Sequence, residues 1–224
     1  MSQSLSLVIF GTGSVARIAH YVASYELGLE VVGFAVDPAY RVDTKFLGLP
    51  VLDVDLLAQF YPPGTASVFV AVGYRSMHKR SMTWRRFADA GWNTPSLISS
   101  KAYVAETAKL GANCLVLPGV VVEPGCILGD NNILWSNATI CHDSCVGSDN
   151  FLAAGTVIGG EVEIGSRSFF GFSSIVLQHR TVGCDVLLAA AALLTADAPN
   201  LGYYKGIPAK RIGEICAEDG VCIG

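Results

Sequence analysis

The chain has 224 residues, 51% of them hydrophobic and 15% charged, with a formal net charge of −4. That length fits one large domain or two small ones, and so little charge on so apolar a chain points to surface buried between repeats or subunits. The acidic balance argues against sequence-independent nucleic-acid binding, and no apolar run reaches the ~18 residues that a membrane-spanning helix needs.

The opening residues lack the basic flank and cleavage site of a secretory leader, so a cytoplasmic location is expected, with the seven cysteines read as reduced thiols. Ser6 to Phe10 reads as a short strand, followed by the turn Gly11-Thr12-Gly13-Ser14 and an apolar-periodic helix from Arg17 to Tyr25. A second strand, Glu30 to Val36, ends at Asp37. Glycine in such a turn lets backbone approach a ligand, and the helix N-terminus behind it attracts a phosphate. Asp37 stands where it could accept a hydrogen bond from a ribose hydroxyl. The bland alternative is a tight strand–helix turn with no ligand. A third strand, Ser67 to Val72, leads through Gly73 and Arg75 into a helix from Met77 to Ala90. Only one half of a dinucleotide fold is present, so this α/β Rossmann-like half domain suits a mononucleotide, such as the nucleoside diphosphate of an activated sugar. Arg75 is the cation best placed to meet a phosphate; Lys79, Arg80, Arg85 and Arg86 read as a solvated helix face.

From Leu110 to Leu194 every sixth residue is Leu, Ile or Val, Phe170 alone excepted, and glycine follows at Gly111, Gly129, Gly147, Gly165 and Gly183, eighteen apart. Helices repeat near 3.6 residues and flat strands at 2, so neither period explains this one. Three short strands joined by two-residue corners, closing a coil every eighteen residues, explain both spacings. Five such coils, rising ~4.8 Å each, would stack into a triangular solenoid. The residue two before each aliphatic one should also point inward and be small. It reads Cys114, Cys126, Ala138, Ser144, Thr156, Ser168, Ser174 and Ala192, with Val120, Val162 and Val186 larger and Arg180 expected at a bulge or edge. The eighteen-spaced glycines are expected at a corner that needs positive φ.

Of four histidines, His20 and His78 fall on the N-terminal helices and read as surface or packing residues, and His179 is out of phase with His142. His142 lies two residues after inward Ile140, between Cys141 and Cys145. A metal site there would want a Cys-x-x-Cys pair or a second nearby histidine, and neither is present, so no metal is expected. One coil beyond His142 stands Gly160, a residue with no side chain stacked on the histidine position, while Gly159 fills the corner role.

The segments Leu110-Gly111-Ala112-Asn113-Cys114, Leu128-Gly129-Asp130-Asn131-Asn132, Val146-Gly147-Ser148-Asp149-Asn150 and Ile164-Gly165-Ser166-Arg167-Ser168, with the closing Gly206-Ile207-Pro208-Ala209-Lys210, resemble the hexapeptide-repeat acyltransferases. In order of parts the chain is similar to the sialic-acid O-acetyltransferase and bacillosamine N-acetyltransferase group. The resemblance implies a left-handed parallel β-helix, and the long apolar faces and low surface charge of such a prism predict assembly around a threefold axis as a homotrimer. It divides the chain into a nucleotide-sugar domain over 1–103, coils over 104–199 and a tail over 200–224. It implies His142 as catalytic base with Asp143 beside it, although neighbours on an ideal strand point apart and meet only if the backbone turns. Substrate contacts would fall on Gly11, Thr12, Gly13, Ser14, Asp37 and Gly73. Acetyl-CoA would run past Gly160, Phe172 and Ala190 toward Lys205, Lys210 and Arg211. Relatives often carry a second, cofactor-contacting histidine nine residues after the base; here that position is Phe151, and the neighbouring Asn150 faces the other way. The expected activity is acetyl transfer from acetyl-CoA to the amino group of a nucleotide-linked sugar. O-acetylation of a sialic-acid-like sugar is the close alternative. A zinc hydratase needs about three histidines, and a non-catalytic nucleotide-sugar sensor would bind no CoA.

Overall fold

The computed structural model of the chain describes residues 6–73 and 75–223. They fall into two compact units, Met1–Gly73 with Met82–Leu97, and Tyr74–Ser81 with Ile98–Gly224.

The first unit is built on a five-stranded sheet. Its strands are β1 (Ser6–Phe10), β2 (Val31–Val36), β3 (Lys45–Phe46), β4 (Leu49–Asp53) and β5 (Ala66–Val70), arranged in the order β3-β4-β2-β1-β5. β1 runs parallel to β2 and β5, and β2 parallel to β4. Such central strands are buried on both sides, which is why β1 and β5 read as continuous apolar runs. Val8 and Ile9 are fully buried, as are Ala16 and Ala19 on the inner side of helix α1 (Ser14–Tyr21). Helix α1 starts three residues before the expected Arg17, and a π-helical turn over Val22–Glu26 completes it. Between β2 and β5 lie elements that periodicity does not reveal, the antiparallel β3–β4 hairpin and the short helix α2 (Leu57–Phe60). The hairpin turns through Leu47 and Gly48, both at positive φ, a geometry usually signalled by Asn-Gly or Asp-Gly. Helix α3 (Met77–Asp89) forms as the sequence indicates.

The second unit is a three-faced parallel β-helix of two-residue strands. The first face stacks six strands, from Tyr103–Val104 to Leu193–Leu194, and the second five, from Lys109–Leu110 to Thr181–Val182. The third face begins at Leu97–Ile98 and ends in the hairpin Gly202–Lys205 and Lys210–Glu214. Partners within the coils are eighteen residues apart, as Val122 with Ile140 and Ile140 with Ile158, and the spacing shortens to sixteen where Leu187 meets Tyr203 in the closing hairpin. The expected aliphatic residues fill the interior, and the small inward residues between them are buried too. Two inward positions hold asparagines. Asn132 Nδ2 donates to the Gly129 and Gly147 carbonyls, Asn150 Nδ2 to those of Gly147 and Gly165, and their Oδ1 atoms accept from the Asn150 and Ser168 N–H groups. That internal ladder satisfies amides whose burial would otherwise be costly.

Three expectations need correction. The glycines at 111, 129, 147, 165 and 183 do not adopt positive φ; that falls two residues later, at Asn113, Asn131, Asp149, Arg167 and Asp185, with φ between 52° and 66°. Glycine is required there by close stacking: a Cβ on Gly147 would lie 2.7 Å from the Gly165 carbonyl oxygen, and one on Gly111 2.7 Å from the Asp130 nitrogen. Gly159 likewise is crowded by Gln178 rather than turned through positive φ, and Glu161 takes the turn at 56°. Arg180 does stand at an edge, directly before Thr181–Val182, the last strand of the second face, but Thr181 pairs with Glu163 in register without a bulge. Its guanidinium lies 3.8 Å from Asp197.

Arg80 is not solvated. It is 1% exposed and donates to the Asn131 carbonyl at 2.6 Å and the Asn150 carbonyl at 3.0 Å, while Ser81 donates to Asp149. Burial pulls its pKa down to about 10, with the Asp149 carboxylate acting against that shift. The chain's end closes over the same segment. The Met77 N–H donates to the Val221 carbonyl, the Ile223 N–H to the Arg75 carbonyl, and Val221 is fully buried.

Candidate active site

His142 stands at the corner between strands Thr139–Ile140 on the first face and Cys145–Val146 on the second. Asp143 takes positive φ there, 57°, and this turn is what lets adjacent side chains meet. His142 Nδ1 lies 3.0 Å from Asp143 Oδ2. The backbone is fixed on both sides: the His142 N–H donates to Glu123 Oε2 at 2.7 Å, and its carbonyl accepts from the Glu161 N–H at 3.0 Å. Inward Ser144 anchors the corner by donating to the Gly159 carbonyl and accepting from the Val162 N–H. The two functional side chains project outward, His142 56% and Asp143 65% exposed.

Stacking sets the rest of the site. A Cβ on Gly160 would lie 2.7 Å from His142 Nε2 and 2.8 Å from Cε1, so the imidazole rests against bare backbone. The Gly160 carbonyl accepts from the His179 N–H, whereas the Gly160 N–H donates to no group among the described residues. The same corner column continues with Glu161 one coil on and His179 two coils on, 3.5 Å apart. The hydrogen bond to Asp143 raises the His142 pKa above the usual histidine value; loss of solvent opposes it, and the charges of Asp143, Glu123 and Glu161 add to the rise. With its proton on Nδ1 toward Asp143, the neutral ring has a free Nε2 lone pair beside Gly160, the arrangement of a general base next to a donor for a developing oxyanion.

Phe172 and Ala190 occupy corners between the third and first faces, with the Ala191 N–H donating to the Phe172 carbonyl. That ridge and the Gly160 corner bound the same first face, whose outward row includes Val157, Ile175 and Leu193. Phe172 is 60% exposed. Phe151 departs from the expected cofactor contact. It is 3% exposed on the third face, stacked on Phe169 at 5.2 Å and close to Trp135 at 5.5 Å, so packing accounts for its ring. Asn150 faces inward, as its strand parity requires. Lys210 is exposed in the closing hairpin opposite Lys205. Burial, and then Glu123, push the Cys141 thiol up, whereas Cys145 is exposed. Among the described residues no group of three His, Cys, Asp or Glu could hold a metal ion.

In the first unit, Gly11 has φ 118°, and a Cβ there would lie 3.0 Å from the Ala71 carbonyl, so only glycine fits the turn. The Gly11 N–H donates to Ala35 and the Ala71 N–H to Phe10, which draws the ends of β1, β2 and β5 together. Gly13 precedes α1, and open space surrounds its Cα. Gly11, Thr12, Gly13, Ser14, Asp37 and Gly73 thus share the carboxyl edge of one sheet, where ligands collect in such folds. Arg75 belongs to the second unit and is exposed. Glu123 and Glu161 escaped the sequence reading, and Arg86 entered it only as part of a solvated helix face. The first two carry a usable signal, since they lie about one coil from His142, at offsets of nineteen residues either way.

A family profile described as "Bacterial transferase hexapeptide (six repeats)" matches residues 107–142. The acetyltransferase domain of PglB from Neisseria gonorrhoeae FA1090 is 27% identical, with a TM-score of 0.84 over 93% of this chain and 100% of that one. Perosamine N-acetyltransferase from Caulobacter crescentus, solved as a histidine-to-asparagine variant with CoA and GDP-perosamine, is 26% identical, with a TM-score of 0.86 over 93% and 97%. Among curated proteins, the acyl-[acyl-carrier-protein]–UDP-N-acetylglucosamine O-acyltransferase of Rhizobium johnstonii is 29% identical over 109 residues, 46% of this chain. The chain spans only 40% of that relative's length. In its hexad repeat, in the profile match within the coils and in a fold shared across 93% of its length with two acetyltransferases, the chain is similar to the hexapeptide-repeat transferases.

Proposed function

We propose that this protein transfers an acetyl group from acetyl-CoA to the amino group of a nucleotide-linked amino sugar. The observation that carries the reading is His142 Nε2 standing against the bare Gly160 peptide. The acceptor nitrogen attacks the thioester carbonyl carbon, His142 takes the proton that nitrogen loses, and the Gly160 N–H stabilises the oxyanion. The C–S bond then breaks, and the CoA sulfur leaves with the proton returned by the imidazolium. Asp143 holds the tautomer. Phe172 and Ala190 line the CoA path, Lys210 approaches its phosphates, and Gly11 to Ser14, Asp37 and Gly73 receive the nucleotide. Glu123, Asp143 and Glu161 around one imidazole favour the approach of an amine that arrives as its ammonium ion over that of a neutral hydroxyl; the ammonium gives one proton to solvent before the neutral amine attacks. The names of the relatives support both halves of the reading, since the Caulobacter protein was solved with CoA and GDP-perosamine and a second PglB structure holds acetyl coenzyme A.

O-acyl transfer is the second reading, favoured by the name of the curated relatives. Mass spectrometry after incubation with acetyl-CoA and paired amino and hydroxy forms of one nucleotide sugar separates the two. Acetylation of the amino form alone is expected; acetylation of the hydroxy form alone overturns the amine assignment, and no transfer to either overturns the substrate class. The enzyme is further proposed to be a cytoplasmic homotrimer.

A further inference from the structure

Arg86 was read from sequence as part of a solvated helix face. In the structure its guanidinium carbon lies 5.1 Å from the ring centroids of both Phe10 and Phe87, and its Nη1 donates to Asp37 Oδ1 at 2.7 Å. Phe10 is the last residue of β1, directly before the Gly11 turn, and Asp37 follows the last residue of β2. One side chain therefore ties together the ends of the two strands beside that turn. The contact uses only one carboxylate oxygen; Asp37 Oδ2 accepts no hydrogen bond among the described residues.

We infer that Arg86 is a positioning residue, holding the Asp37 carboxylate so that its second oxygen accepts a ribose hydroxyl of a nucleoside diphosphate. The inference rests on the nucleotide-sugar reading above. The side chains of Arg86 and Asp37 are 46% and 34% exposed, and a pair so open to solvent adds little to folding. Yet the guanidinium is restrained by two ring faces as well as the carboxylate, which removes most of its rotamer freedom. A planar cation fixed in this way also fixes the plane of the carboxylate it binds. A bidentate pair would consume both oxygens, whereas this single contact leaves one. An unrestrained aspartate would have to be ordered when the ligand binds, and that ordering weakens affinity.

The test is calorimetric titration of the intact protein with UDP, GDP and 2′-deoxy-UDP, comparing wild type, Arg86→Gln, Asp37→Asn and the double variant. Arg86→Gln is expected to weaken the better ribonucleotide about tenfold, the worth of one charge-assisted hydrogen bond. KM for the nucleotide sugar should rise by the same factor, with kcat and the acetyl-CoA KM within about twofold of wild type. The double variant should bind no worse than Asp37→Asn, because Arg86 acts through that carboxylate. Arg86→Lys keeps a cation over the rings and guards against misfolding of the glutamine variant; its affinity should fall between the two. Wild-type affinity in Arg86→Gln, full multiplication of the two losses, or equal binding of UDP and 2′-deoxy-UDP overturns the assignment. A wild type that binds no nucleoside diphosphate overturns the substrate reading as well, which tells that failure apart from loss of the positioning role alone.

Discussion

Replacing Asp143 with Asn removes the nearest charge that favours a protonated His142 and turns a charge-assisted hydrogen bond into a neutral, weaker one. A base must be neutral to accept a proton, so kcat/KM should rise with pH through the raised pKa of His142 and level off above it. In Asp143→Asn that pKa falls, and the acidic limb of the pH–rate profile should move to lower pH; an unmoved limb would mean that another group titrates. The same shift has a sign for stability. The pair favours the folded state below the ordinary histidine value and loses that contribution as pH rises through the raised one. Gly160→Ala tests the other half of the site. Its Cβ would stand 2.7 Å from Nε2, so the ring must move, and a misplaced base should cost kcat on the order of 10²-fold with the nucleotide-sugar KM little changed. The sequence made His142 and Gly160 legible because they are eighteen apart in a repeat of eighteen. Whether Asp143 reaches the imidazole was not legible, since it depends on a positive φ that an aspartate adopts only where the corner imposes it. Arg86 was hidden for a related reason, because helical spacing places a side chain on a face without saying which strand ends that face meets.

At the scale of the coil, two kinds of glycine look alike in sequence and differ in physics. Gly155 has φ 71°, and a Cβ there would lie 3.1 Å from Ser173 Oγ, in a corner column where Asn137, Ser173 and Ala191 adopt the same conformation. Gly147 has ordinary φ but would drive its Cβ into the Gly165 carbonyl. Gly155→Ala should therefore cost about 1 kcal/mol, the penalty of left-handed backbone, and Gly147→Ala more, roughly 2–3 kcal/mol, by forcing coils apart. Denaturant midpoints with unchanged slopes would measure both, and equal costs would mean that conformation alone accounts for the glycines. The hexad made three faces and an aliphatic core readable, since its side chains obey the period directly. The internal amide ladder of Asn132 and Asn150 was less visible, because asparagine in an inward position looks like an exception until its carbonyl partners are known. Asn150→Ala would strip donors and an acceptor from buried backbone, and about 2–4 kcal/mol of stability should go with them.

For the whole molecule, the ridges and faces of the coils carry the decisive exposures. Phe172 is 60% exposed, Ile127 50%, and Ile175 and Leu177 37% each, on a chain only 15% charged. Single exposed apolar residues are ordinary, but Phe172, Ile175 and Leu177 fall within one coil, and Ile175 stacks in an outward column with Val157 and Leu193. A second and a third copy would cover them, because a three-faced solenoid presents the same ridge to each neighbour around a closed ring. His142, projecting from its corner, would then face a neighbouring protomer instead of open solvent, and the CoA path past Phe172 would gain a second wall. Sedimentation equilibrium should read about three times the 23.6 kDa chain mass. If the neighbour completes the site, specific activity should fall on dilution through the concentration at which the trimer dissociates, and acetyl-CoA should protect against that loss by binding only the assembled form. A monomer that keeps full turnover would leave the exposed apolar ridge unexplained and would place the entire reaction on one chain.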